Sequence, residues 1–219
     1  MSNKIVSTFK RLSILKNQLA VAILFANLAL FTSQAQAQVP SYKIEVIVFE
    51  NLNLKGWTEE HWPDQIELPS TENSTSIFTR NQKPLWINRR NQSLVGTEAK
   101  LNKRGYRVIF HQAWSQLAYA NKKAPTVLIE NDQKRGANLI GTVRLYKTRF
   151  AHVDFDLELE RRIPSKILEK FAQNQGISAG EAPTHWRFNI KESRKIKPGE
   201  LHYIDHPLFG VLVKITPNK

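Results

Sequence analysis

Two histidines four apart, His202 and His206, with Asp205 between them, are the first residues in this sequence whose types could bind a metal ion. Spacing argues against it. Pro207 follows His206 directly and turns that residue away from helical geometry, the only regular one in which positions i and i+4 share a ligand. On an extended chain the two would stand roughly 13 Å apart at ~3.3 Å per residue, too far to meet on one ion. A strand, a His-Pro corner and a second strand over 208–215 are expected instead, with no metal and no cofactor.

A second set is acidic. Asp154, Asp156, Glu158 and Glu160 alternate with apolar residues and so share one strand face, successive members about 7 Å apart, near the carboxylate separations used in glycoside hydrolysis. A wall-cleaving hydrolase working through Asp154, Asp156 and Glu158 is therefore one reading. The other is a solvated face on which Arg187, Lys191 and Arg194 of a neighbouring strand pair with the acids. Like carboxylates in a row lack the contrast of environment that separates an acid from a base, and no catalytic residue is assigned. Two Ser-x-x-Lys matches, at Ser7 and Ser13, fall in a segment expected to be removed, and without cysteine no thiol nucleophile exists.

A third set is aromatic and basic. Trp57, Trp62 and Trp86 lie among Arg80, Lys83, Arg89 and Arg90 in a polar stretch, 52–90. Indole faces suit sugar rings and guanidinium forks suit carboxylates, a combination that fits a glycan-peptide polymer. Each Trp could equally pin the stretch onto a sheet. Arg144, Tyr146 and Arg149 form a further candidate binding surface on a strand.

The elements that must carry these residues follow from periodicity. The N-terminus has Lys4, Lys10, Arg11 and Lys16, a short apolar run over 19–31 and Ala35-Gln36-Ala37, the pattern of a cleavable leader over 1–37. Export to the periplasm, with a single domain over 38–219, is expected. The leader's four cations take the net charge from +13 to +9 on the remaining 182 residues. For an exported chain, such a surface points to anionic wall polymer or an acidic partner and away from nucleic acid. No later apolar run is long enough to span a membrane. Strands are read at 42–51, 106–114, 126–130 and 185–196, helices at 94–104 and 165–176, and one bent strand of about twenty residues around Arg149. The sum is α+β: a mostly antiparallel twisted sheet, one or two helices on one face, and a long ordered loop at 52–90.

Four segments, "YKIEVIVFEN", "GYRVIFHQAW", "LIGTVRLYKTRFAHVDFDLELE" and "FNIKESRKIKPGELHYIDHPLFGVLVKITP", together resemble the CsiV family of periplasmic peptidoglycan-binding proteins. The resemblance implies a non-enzymatic accessory protein that binds peptidoglycan. It also implies support for a bifunctional peptidoglycan synthase, a class A penicillin-binding protein, together with its outer-membrane lipoprotein activator. It assigns no binding residue. A hydrolase, and a chaperone-like protein for an acidic periplasmic partner, remain as other readings.

Overall fold

A computed structural model describes residues 38–78, 84–131 and 136–218. The leader read over 1–37, and Arg80 and Lys83, lie outside them. The first strand, β1 (Ser41–Asn51), is buried on both faces toward its end, as its double apolar pattern requires. It pairs antiparallel with β3 (Tyr106–Leu117) on one side and with β9 (Phe209–Pro217) on the other. Short edge strands β2 (Leu85–Ile87) and β8 (Leu201–Ile204) complete a five-stranded sheet in the order β2-β3-β1-β9-β8. A second, four-stranded sheet runs β4-β5-β6-β7, built from Thr126–Glu130, Ala137–Lys147, Ala151–Arg162 and His185–Ile196.

The expectation of a mostly antiparallel α+β protein is met, with the strands divided between two sheets. Alternation decides which faces meet. Ile44, Val46 and Val48 of β1 and Val211, Val213 and Ile215 of β9 pack against Val143, Leu145, Val153, Phe155 and Leu157 of the second sheet in one continuous core. The opposite face of β1, with Ile47 and Phe49, is covered by helix α2 (Val95–Leu101) through Leu94 and Leu101. Helix α1 (Lys55–Thr58) and helix α3 (Leu168–Gln175) close one end of the sandwich, where Trp57, Phe171 and Phe188 meet edge to face. The residue after α3, Gly176, is left-handed (φ 71°), as a helix-ending glycine should be. Ser165 stands in a 3-10 turn, so the helix read from 165 begins at Leu168.

The long bent strand around Arg149 is a hairpin: β5 and β6 are joined by 148–150, where Thr148 N–H donates to the Phe150 carbonyl at 3.0 Å. The reason for the misreading is parity. Val143 pairs with Phe155 and Lys147 with Ala151, so odd positions of one arm face odd positions of the other. A three-residue turn therefore preserves the alternation that a single strand would show. The lapse at Lys147 and Arg149, charged at odd positions, marks the turn instead.

Buried ions join the sheets. Glu50 of β1 is fully buried; its carboxylate lies 2.5 Å from Arg107 Nε on β3 and 3.0 Å from Arg161 Nε on β6, across the sandwich. Arg161 also donates to the carbonyls of Asn51 (3.0 Å) and Leu208 (3.1 Å), and its guanidinium stands 5.2 Å from the Trp57 ring.

Trp57 is thus a core residue despite its polar neighbours in sequence. Replacing it by Ala removes the ring that Phe171, Phe188 and Arg161 pack on, and urea unfolding should show a loss of roughly 3–5 kcal/mol.

Candidate functional site

The His-Pro corner is a joint. His206 Nδ1 accepts from Leu208 N–H at 3.1 Å, and its ring packs on Trp62 (5.1 Å) and Phe209 (4.8 Å). His202 Nε2 accepts instead from Lys197 N–H at 3.1 Å. Each imidazole thus spends a lone pair on a backbone donor. Among the described residues no group of three or more His, Asp or Glu gathers as metal ligands would. Helix α1 sits against the corner so closely that a Cβ on Gly56 would meet the Pro207 carbonyl at 2.8 Å. Trp62 donates its indole N–H to the Gly56 carbonyl at 3.1 Å.

The candidate binding residues fall into three places. Trp57 and Trp62 belong to the end of the sandwich: Trp57 has no exposed surface and Trp62 is half-buried against Phe188 and His206. That corrects the expectation for Trp57, since a ring without surface offers no face to a sugar. Trp86, on edge strand β2, is 45% exposed, donates its indole N–H to Gln112 Oε1 at 2.8 Å, and lies 6.4 Å from the exposed ring of Phe78. Arg89 pairs with Glu98 (2.7 Å), whereas Arg90 makes no such pair among the described residues; both are exposed in the same 3-10 turn.

Glu98 belongs to a network beneath α2. His111 bridges it (2.7 Å) to the buried Glu45 (2.9 Å), which also accepts from the N–H groups of Ser93 and Leu94. Burial alone would raise the Glu45 carboxyl. The bonds from His111, Ser93 and Leu94 outweigh it and hold the group at about 2. Burial likewise works against a charged His111, but the two carboxylates prevail and raise its pKa. His111 lies within the strand read at 106–114, and both of its carboxylate partners come from other elements, β1 and α2.

The third place is the outer face of the second sheet, where Arg144 and Tyr146 come together. Arg144 donates from Nε (3.2 Å) and Nη2 (2.5 Å) to Asp154, whose other oxygen accepts from Ser193 at 2.6 Å. Tyr146 stacks on His152 with ring centroids 5.1 Å apart. Arg149 stands at the hairpin tip, 5.4 Å from the exposed Phe150 ring, which Lys195 approaches to 3.5 Å. The acidic row is largely engaged by cross-strand cations, as a solvated face would be. Arg187 bridges Glu158 (3.3 Å) and Glu160 (3.2 Å), and Lys191 sits beside Asp156. Burial raises the Glu158 pKa, with Arg187 opposing and Glu160 adding to it. Arg194 pairs within its own strand, with Glu192, not across. The hydrolase reading gains no support from this pairing.

A segment without periodic pattern passes over that face. Glu67 reaches Lys191 of β7 at 2.7 Å, and Thr75 joins β4 beside Val127, so the stretch from 64 to 76 straps the sheet from edge to edge. Beneath it opens a cleft of about 400 Å³, with Ser70 and Glu72 on the strap side and Thr142, Arg144, Asp154, Asp156, Lys191 and Ser193 on the sheet.

A polar sheet face, a strap-covered cleft and an exposed aromatic pair at a sheet edge are the surface features of this two-sheet, β-rich protein. The chain belongs to the CsiV family: the family model described as "Peptidoglycan-binding protein, CsiV" matches residues 18–218, nearly its whole length. No curated protein and no solved structure matches it.

His206 generates a pH prediction. Burial depresses its pKa from 6.5 to about 4, against the opposing pull of Asp205. Above the unfolded value neither state takes a proton. As pH falls through that value toward the folded one, only the unfolded chain gains the proton and stability is lost. Urea unfolding at about pH 7.5 and about pH 4.5 should show the wild type losing on the order of 2 kcal/mol more than His206→Phe.

Proposed function

We propose that this is an exported, non-enzymatic peptidoglycan-binding accessory protein of the periplasm. It supports a class A penicillin-binding protein, a bifunctional glycosyltransferase and transpeptidase, together with that enzyme's outer-membrane lipoprotein activator. The observation that carries the reading is the family match over residues 18–218. The leader-like N-terminus and the net charge of +9 remaining after it agree with a ligand rich in carboxylates outside the cytoplasm.

Two surfaces could divide the polymer between them. Trp86 and Phe78 present exposed rings of the kind on which sugar faces stack, with Arg90 nearby in sequence for a carboxylate. The face carrying Arg144 and Arg149, with the cleft beside Arg144, presents hydrogen-bonding and charged groups suited to peptide, while Tyr146 on the same face is buried against His152 and supports it. Trp57 and Trp62 serve the fold, and Arg89 serves α2.

Co-sedimentation with purified sacculi tests the reading. Retention without release of soluble fragments is expected, and release of fragments would favour a hydrolase. Salt should weaken retention, because the Debye length shrinks from ~8 Å at physiological ionic strength to ~3 Å at 1 M. Part of it should survive as aromatic contact. Trp86→Ala should lower that salt-resistant part several-fold with the urea midpoint unchanged, because the ring lies on an exposed edge. Unchanged retention would remove Trp86 from the binding surface.

A further inference from the structure

The cleft under the strap has chemistry of its own. Arg144 has five N–H donors, and two of them go to Asp154, which Ser193 holds from its other side. Asp154 thereby accepts three hydrogen bonds, and Nη1 of the guanidinium has no hydrogen-bond partner among the described residues. On the adjacent row, Asp156 has no hydrogen-bond partner among the described residues. Among the described residues Lys191 is ion-paired with the exposed Glu67 of the strap, a contact open to solvent screening, while the charge of Asp156 beside it acts on it more weakly. The floor therefore offers two cations and the carboxylate of Asp156; Glu192 beside them is paired with Arg194, and Glu72 lines the cleft from the strap. Arg144 and Asp156 are diagonal cross-strand neighbours about 7–8 Å apart.

A purely anionic ligand would leave Asp156 facing like charge, and a purely cationic one would meet Arg144 and Lys191. A ligand carrying a carboxylate and an ammonium close together satisfies both. The cleft, about 400 Å³, has room for one or two amino acids.

We propose that this cleft binds the zwitterionic part of a wall stem peptide, an amino acid bearing both a free ammonium and a carboxylate. The carboxylate is forked by Arg144 and met by Lys191 swung from Glu67, and the ammonium is taken by Asp156. The inference rests on the wall-binding reading and narrows it from polymer to peptide.

Calorimetric titration of the mature protein separates the two. The probes are a soluble disaccharide-peptide fragment containing a diamino acid, the same fragment with its free amine acetylated, and the peptide-free disaccharide. Sacculus co-sedimentation runs alongside. The intact fragment should bind, and acetylation should weaken it at least tenfold. Asp156→Asn should weaken the intact fragment by a similar factor while leaving the acetylated one unaffected. The substitution is isosteric and on the outer face, and thermal melting checks the fold. If it fails to fold, the acetylation comparison on wild type decides alone. Equal binding of the acetylated fragment, equal binding of the peptide-free disaccharide, or retention of sacculi with no fragment bound overturns the cleft assignment and leaves wall binding standing. Failure to retain sacculi overturns the reading beneath it.

Discussion

A carboxylate with no exposed surface holds the two sheets in register. Glu50 meets two guanidinium groups inside the sandwich, Arg107 from its own sheet and Arg161 from the other. Arg161 in turn is itself buried, which pulls its pKa down, and it is kept charged by Glu50. Replacing such an ion set by well-packed apolar groups is often neutral, whereas removing one member strands a buried charge at roughly 3–5 kcal/mol. Its contribution is therefore less to total stability than to uniqueness. Only one relative placement of the sheets brings Arg161 to Glu50, to the Asn51 and Leu208 carbonyls, and over Trp57 at once. The His-Pro corner and α1 are fixed by the same residue, and the start of the strap with them.

Local periodicity made most of the elements legible. β1, β4, β7 and the pair β8 and β9 around the corner lie where alternation put them, and Gly176 stands where α3 ends, whereas α2 stops short of the reading to 104, at Leu101 with Asn102 as its C-cap. What periodicity could not carry was anything decided by parity or by long-range packing. The β5–β6 turn was hidden because three residues leave odd positions facing odd positions. The division into two sheets was hidden because a strand's alternation says that one face is buried but not what covers it. Trp57 was misassigned for a related reason: its sequence neighbours are polar, while its spatial neighbours, Phe171, Phe188 and Arg161, come from far along the chain.

The candidate site was half legible. The acidic row and its cations were visible as an alternating face, and Arg144 and Tyr146 were singled out on it. The cleft was not, because its roof comes from a stretch with no periodic pattern, and Ser70, Glu72 and Glu67 are ordinary loop residues in one dimension. The two sheets also differ in how their outer faces are treated. Glu45, His111 and Glu98 clamp α2 onto one sheet, filling that face with a helix and a buried charge network. The other sheet keeps its outer face polar and crosses it with a single strand-free segment.

That segment is anchored at both ends by core residues, Trp57 before it and Ile77 after it. Its span over the sheet is therefore a closed arc whose endpoints belong to the folding unit while its middle does not. Closing such an arc costs entropy that grows only as the logarithm of its length. The roof of the cleft can thus lengthen, shorten or change composition in descendants of this sequence without disturbing the sandwich, so what lies over the charged floor is free to diverge faster than the floor itself.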